Sequence, residues 1–290
     1  MRKYLSLFCC TIIIFCSCQK DDSDQNIVPQ NPMLLKKFIA LDLSQTAPND
    51  TTGIIEYSYD NLNRCTVIKN TYYPSLETDM TYNYYVGSDT LISSRTIIYN
   101  GSDTSKEIFT YNSVGQLLSD STITILSSST YTLTYSYQIL SNSRIQSTIN
   151  SNSSPFLFAT YNIQYDNNGN HLAEKDSSFD YNIGSGYVYK SVSDLTNTFD
   201  TKPCPFYNLY PKRLVGLDYE NALQDDQPFY WSIIQKNNIL TEVRTTNPTT
   251  TGLSPYYHSF SYTYGADNYP LIIKYTDNLT GEHYKGIYIY

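Results

Sequence analysis

The chain has 290 residues, with Lys+Arg 19 against Asp+Glu 27 for a net charge of −8, and tyrosine alone fills 31 positions. An acidic balance without a basic run excludes a nucleic-acid partner, which needs clustered Lys and Arg to meet phosphate. Aromatic richness excludes a wholly disordered chain, and 12 Gly with 12 Pro are too few for a fibrous repeat.

Arg2 and Lys3 precede a mostly apolar run from Tyr4 to Phe15. A bilayer-spanning helix takes about 20 residues, so this shorter run reads as the apolar part of a secretory signal. It ends in Phe15-Cys16-Ser17-Cys18, followed by Gln19-Lys20-Asp21-Asp22. The arrangement resembles a bacterial lipoprotein signal, cut before a cysteine whose sulfur receives diacylglycerol. Ser17 matches the small residue before the cut, whereas Phe15 and Cys16 depart from the usual Leu and Ala or Ser. The resemblance implies a signal peptide at 1–17 and lipidation at Cys18, against the alternative of a cleaved signal without lipid. The Lys20-Asp21-Asp22 stretch looks like the export signal of Bacteroidetes lipoproteins. That likeness implies an outer-membrane protein anchored by lipid and facing the cell exterior; a merely solvated tether is the alternative. Residues 18–32 are polar and aperiodic, and they read as a flexible tether. The membrane, met through the anchor, is the first expected partner.

Of the six cysteines, only Cys65 and Cys204 lie in the remaining 33–290 segment. Two thiols make no disulfide framework, and a bond or two buried apolar thiols both stay open.

From Leu34 onward the dominant signal is period two. In Thr130–Leu140, Tyr131, Leu133, Tyr135, Tyr137 and Ile139 alternate with Thr130, Thr132, Thr134, Ser136 and Gln138. Such alternation puts one face on apolar neighbours and the other in water, as an antiparallel strand does. Ile54–Tyr59 and Phe260–Tyr264 repeat it, and no long amphipathic helix competes. Turns separate these strands on a shared plan at Tyr59-Asp60-Asn61-Leu62-Asn63-Arg64, Tyr111-Asn112-Ser113-Val114-Gly115-Gln116 and Tyr165-Asp166-Asn167-Asn168-Gly169-Asn170. An aromatic ends the strand, Asp or Asn caps the turn, and Gly or Asn takes the positive φ. A weaker copy is Tyr264-Gly265-Ala266-Asp267-Asn268. Tyr59, Tyr111 and Tyr165 fall 52 and 54 residues apart, and Tyr264 follows after 99. A degenerate unit of two hairpins per fifty residues is the expectation.

These turns resemble the tyrosine–aspartate (YD) repeats of wall-associated and toxin-caging shells. Arg64 matches the repeat's final Arg, while Gln116 and Asn170 do not. A closer resemblance covers most of the mature chain. Bacteroidetes surface lipoproteins with YD-like hairpins form a family of unknown function with a porin-like, barrel-shaped fold. They have an Asp-Xaa-Lys-Xaa-Asn-Pro-Phe stretch, here Asp200-Thr201-Lys202-Pro203-Cys204-Pro205-Phe206 with Cys204 in place of Asn. Lys236-Asn237-Asn238 is similar to their downstream Asn-Asn step. The resemblance implies fold and location and lends no activity.

Little in the chain asks for chemistry. His171, His258 and His283 sit in unrelated segments without zinc-site spacing and are expected at the surface. Asp225-Asp226 is the only acidic doublet of the body, and adjacent strand residues point apart, so it reads as a solvated loop. Asp166–Asn170 superficially suggests a calcium loop but lacks the Glu at position twelve, where Ser177 stands; a hairpin turn is expected instead. No catalytic residue, metal ligand or cofactor is expected, and the chain does not read as an enzyme. Tyrosines are the material for binding, because a ring can lie on a sugar face while its hydroxyl bonds. Trp231, Tyr230, Tyr256 and Tyr257 are the candidate ligand platform for a glycan or protein, against the alternative that Tyr and Trp build a thin core.

The terminal Gly286-Ile287-Tyr288-Ile289-Tyr290 resembles the closing strand of outer-membrane barrels. A lipid-embedded barrel needs continuous outward apolar rows, however, and Ser93, Ser94 and Arg95 interrupt such a row in Leu91–Tyr99. The expected architecture is a single all-β domain over 33–290, a long antiparallel meander of hairpins curled into a barrel, with a β-propeller as alternative. Its expected role is structural or ligand-binding at the cell surface. A polysaccharide-degrading accessory or an embedded outer-membrane barrel is the alternative.

Overall fold

A computed structural model describes residues 33–290 except 48–49, 87–90, 114, 116, 126–129, 142–143, 152–157, 182–187, 208, 210–234, 248–255, 278–280 and 282. Leu34–Tyr290 forms one compact unit. Its described residues make sixteen strands in chain order. These are β1 Lys37–Asp42, β2 Thr51–Tyr59, β3 Cys65–Tyr72, β4 Thr78–Tyr85, β5 Ile92–Tyr99, β6 Asp103–Tyr111, β7 Leu117–Ile125 and β8 Thr130–Ser141. There follow β9 Arg144–Ser151, β10 Phe158–Tyr165, β11 His171–Tyr181, β12 Val188–Pro203, β13 Asn237–Asn247, β14 Tyr256–Tyr264, β15 Pro270–Asp277 and β16 His283–Ile289.

Every strand pairs antiparallel with its sequence neighbours, and β16 pairs with β1, so the sheet closes on itself. Closure removes the exposed edges that invite aggregation. A propeller would leave each four-stranded blade separate, but β4 bonds to β5, β8 to β9 and β12 to β13 without a break. The expected barrel is therefore the architecture and the propeller is not. Alternation follows the sequence: on β8, Thr130, Ser136 and Gln138 are exposed, as their even positions predict.

Odd strands begin, and even strands finish, at one end of the barrel, here the near end. The four Tyr-ended turns all lie there, after β2, β6, β10 and β14, four strands apart. Their registers coincide. Tyr59 pairs with Cys65, Tyr111 with Leu117, Tyr165 with His171 and Tyr264 with Pro270, each with a one-residue shift that leaves Thr66, Leu118, Leu172 and Leu271 as bulges. A bulge lets a strand bend while keeping its pairing on both sides. The capping plan holds in atoms. Asp60 Oδ1 accepts from the Leu62 and Arg64 amides at 2.9 and 3.0 Å, and Asp166 Oδ1 accepts from Asn168 and Asn170 at 2.8 Å each. Positive φ falls at Asn63, Gly115, Gly169 and Asn268, the positions read from sequence. The double-length gap before Tyr264 arises mainly because residues 204–236 are inserted between β12 and β13 at this end, and partly because β11 to β13 are longer than β7 to β9.

Tyrosines also tie the near end. Tyr59, Tyr85, Tyr111 and Tyr290 donate their hydroxyls to the carbonyls of Leu35, Cys65, Ile92 and Pro270 at 2.6, 2.9, 2.8 and 2.9 Å. Each spans from the end of an even strand to the start of the odd strand before it. A buried carbonyl is satisfied each time, which a Phe could not do. The apolar core lies inside the closing seam. Phe38, Ala40, Ile55, Tyr57, Ile273 and Tyr288 from β1, β2, β15 and β16 meet Phe206, which turns inward after β12. Phe206 stands edge-on to Phe38 at 5.5 Å and against Tyr288 at 5.6 Å.

Cys65 and Cys204 are both free and buried, the apolar-thiol alternative. Burial pushes the Cys65 thiol up to about 12, against a weaker opposing effect of the Val67 backbone. Its contribution to stability is therefore complete below pH 9 and lost as pH rises toward 12. At pH 8 a thiol-disulfide reagent should label Cys65 about a thousandfold more slowly than a free thiol, since only thiolate reacts. Labelling of the native protein at the free-thiol rate would contradict this environment.

Candidate functional site

The residues singled out by sequence do not assemble into one described site. Cys18, Tyr230, Trp231 and Asp225-Asp226 lie outside the described residues. Tyr256 opens β14, and Tyr257 beside it is exposed on the outer wall. Other exposed tyrosines, Tyr73 and Tyr84, stand by β3 and β4, five and six strands around the wall from β14. Elsewhere tyrosine builds the interior: Tyr57, Tyr275 and Tyr288 are core residues.

The chemistry is on the inner wall. Strand parity that directs Phe109 and Tyr111 of β6 inward also directs Ser105 and Glu107 inward. By the same rule Asp79, Thr81 and Asn83 of β4, Arg95 of β5 and Asp120 of β7 are buried. Arg95 grips Glu107 through two nitrogens: Nη2 lies 3.1 Å from Oε1, and Nε contacts Oε2. Burial opposes the Arg95 charge, but the Glu107 carboxylate, with Asp120 and Tyr99 behind it, more than offsets this and raises its pKa above the ordinary value. The sequence reading placed Arg95 as a break in an outward apolar row. Instead Ser94, Thr96 and Ile98 form the outward row of β5, and Arg95 pairs inward beside Asn83.

A second polar belt crosses β11 to β15. His171 Nε2 is 3.2 Å from Glu174 Oε2, and the Asn197 amide donates to the His171 carbonyl at 2.9 Å. Register then aligns Asn197 of β12 with Glu242 of β13, Glu242 with His258 of β14, and His258 with Asp277 of β15. His258 lies between two carboxylates, with Nδ1 3.3 Å from Glu242 and Nε2 3.9 Å from Asp277. Two of the three histidines are thus buried and carboxylate-flanked, contrary to the surface placement read from sequence; only His283 is exposed. The usable signal was parity. His258 shares its face with Phe260, Tyr262 and Tyr264, so a core on that face must take the histidine too.

This lining is closed to water. Arg95 is 8% exposed, Glu107 4%, Asp120 1%, Glu242 2% and His258 4%. Bulk-solvated general acids, bases or pore charges would be accessible; these are packed. Among the described residues, no cluster of three His, Cys, Asp or Glu could hold a metal ion.

Asp200-Xaa-Lys202 and Asn237-Asn238 meet where the chain leaves and re-enters the wall. Asp200 Oδ1 accepts from the Lys202 and Asn238 amides at 2.9 and 3.1 Å, and Oδ2 accepts from the Tyr264 hydroxyl. Asn237 Nδ2 donates to the Lys202 carbonyl at 3.1 Å, and its amide to Asn170 Oδ1 at 2.9 Å. The Cys204 amide reaches the Lys236 carbonyl at 3.0 Å. The motif is a clasp that pins the ends of the 204–236 insertion and aims Phe206 into the core.

No family model matches the sequence, and no curated protein does. In structure the chain is similar to a porin-like protein from Bacteroides vulgatus, at TM-score 0.52 and 13% identity over 89% of this chain and 98% of that one. A porin-like protein from Bacteroides uniformis aligns at TM-score 0.48 and 14% identity, covering 88% of this chain and 96% of that one. The Bacteroides vulgatus likeness agrees with the all-β, barrel-shaped fold expected of the sequence.

Proposed function

We propose that the protein is a non-catalytic outer-membrane lipoprotein displayed on the cell exterior, anchored by acylated Cys18 through the 18–32 tether. Its barrel is a structural or ligand-binding body standing in water. The observation that supports this most directly is the make-up of the two wall faces. Charges occur along the outer face: Lys37 and Lys69 flank Glu56 at 3.5 and 3.7 Å, Lys175 meets Asp194 at 3.6 Å, and Lys274 faces Lys285. Each lysine at a bilayer midplane costs about 2–4 kcal/mol, which weighs against an embedded wall. The inner face is packed and closed at Arg95–Glu107 and Glu242–His258, which weighs against conduction. Exposed Tyr73 and Tyr257, both at the far end, suit a glycan or protein ligand, because their rings offer flat apolar faces with a hydroxyl at the rim.

The polar inner wall of a closed sixteen-strand barrel is the feature that favours the embedded-channel alternative, and solubility separates the two. The Cys18→Ala chain should be soluble without detergent and bind a subset of a glycan array. The parent chain should incorporate labelled palmitate at Cys18 and be stripped from intact cells by protease. A Cys18→Ala chain that needs detergent would overturn the water-facing barrel, and a protease-resistant parent would overturn surface display.

A further inference from the structure

We infer that the near end of the barrel is a membrane-docking face, its rim of apolar side chains resting in the interfacial layer of a lipid bilayer. This inference deepens the anchored-lipoprotein reading above by giving the barrel an orientation. The bulges repeated after the Tyr-ended turns generate the rim. Each shift leaves one extra residue at the same level, and in three of the four copies that residue is an exposed leucine, Leu118, Leu172 or Leu271, at 37–41% exposure. Leu62 in the β2–β3 turn, Val86 beyond β4 and Ile289 on β16 are exposed at the same end. The six occupy β2–β4, β7, β11 and β15–β16, spread around the whole circumference. A pleated wall has no packing use for leucines on the outside of its bulges, and an amphipathic rim of this kind partitions into headgroup–acyl boundaries.

Turn carboxylates at this end are hydrogen-bonded locally, and Asp60 is also ion-paired, which lowers the cost of approaching a low dielectric. Asp60 accepts Arg64 Nη2 at 2.7 Å, and Asp166 Oδ2 accepts Asn170 Nδ2 at 2.9 Å. Hydrogen bonds to the Arg64 amide and side chain hold the Asp60 carboxyl below the usual carboxylate range. The chain itself says what covers the rim. It enters the barrel at the near end, where the Lys36 amide bonds the Ile289 carbonyl at 2.8 Å. Seventeen residues, 19–35, separate that point from Cys18. A random coil of that length would span about 20 Å on average, so an acylated Cys18 would hold this end nearer the bilayer than the far one. Exposed apolar residues at the far end, such as Leu43 and Leu76 in turns and Ile125 on β7, share no register and supply the control.

The test uses the mature acylated chain in vesicles of phosphatidylethanolamine and phosphatidylglycerol. One added thiol, Leu172→Cys at the near end or Leu76→Cys at the far end, receives a polarity-sensitive dye; Cys65 and Cys204 are buried and stay unlabelled. The dye at 172 should shift to the blue and be quenched by acyl-chain nitroxide lipids at least threefold more than the dye at 76. In a Leu118→Asp/Leu271→Asp background that difference should disappear. Equal quenching at both positions, or a dye at 172 that stays in water, overturns the docking face. A blue shift at 172 that grows with protein concentration in the absence of vesicles also overturns it, in favour of end-to-end pairing of two copies. Mass spectrometry of the Cys18 peptide reads the anchor separately, so loss of acylation and loss of docking are distinct results.

Discussion

Replacing Arg95 by methionine should lower the unfolding free energy by about 3–5 kcal/mol, the range for breaking a buried ion pair from one side. The expected readout is a lower denaturant midpoint with unchanged slope. Arg95 is the cation between Glu107, which it holds through two nitrogens, and Asp120, which is 1% exposed. Without it, the buried Glu107 and Asp120 carboxylates lose their shared cation, and one must take up a proton or the wall must open. The same logic makes Glu107→Gln milder, because it keeps a side chain of equal shape that still accepts from the guanidinium. A triple Arg95→Met/Glu107→Leu/Asp120→Asn change should recover most of the loss, since removing all the charges together removes the desolvation they impose. The result bears on function as well as stability. In an open, water-filled lumen Arg95→Met would cost under 1 kcal/mol, as exposed pairs do. A small effect would therefore refute the packed interior and return the channel reading to the front.

Much of the wall was legible because a strand's two faces are written in alternate letters. Thr130, Ser136 and Gln138 are outside as their even positions predict, and the Asp/Asn-capped turns with Gly or Asn at positive φ sit where the sequence placed them. The 52- and 54-residue spacing is a real four-strand step, since each such turn follows the fourth strand after the last. What sequence could not supply was the relation between distant strands. Nothing in β1 names β16 as its partner, so closure depended on a pairing 250 residues apart. The same limit hid the polar interior. Glu107, Asp120, Glu242 and Asp277 each read locally as an ordinary acidic residue, and only the register set Glu242 and Asp277 on either side of His258. Asp200 and Asn238 likewise looked like family markers without a purpose until the clasp joined them across the 204–236 insertion. The ligand platform was the weakest reading. Tyrosine is so abundant here that composition cannot tell a core ring, such as Tyr288, from an exposed one, such as Tyr257.

Gly286→Ala should cost about 3 kcal/mol, the upper part of the usual range for overpacking, and Phe38→Leu should relieve much of it. A Cβ on Gly286 would stand 2.3 and 2.5 Å from Phe38 ring carbons and 2.6 Å from Ile273 Cγ2. None of these atoms ends a long flexible chain that could swing away. Phe38 is fully buried, with Phe206 and Tyr288 on its other sides. The ring therefore lies over bare backbone because β16 offers a glycine there. Phe38→Leu alone should destabilise by about 1–2 kcal/mol as a partial truncation of a core side chain. Together the two changes should cost about 1–2 kcal/mol less than the sum of the singles, which is the coupling expected of residues in direct contact. Strict additivity in that cycle would mean the ring does not occupy the space above Gly286. The site matters beyond its energy because Gly286 pairs with Ala40 across the β1–β16 seam. A strained seam exposes two long strand edges to other chains, so Gly286→Ala should aggregate on heating at a lower temperature than Arg95→Met of equal stability. Light scattering during a thermal ramp separates the two: Arg95→Met damages the interior and leaves the ring of strands closed, whereas Gly286→Ala forces the ring open.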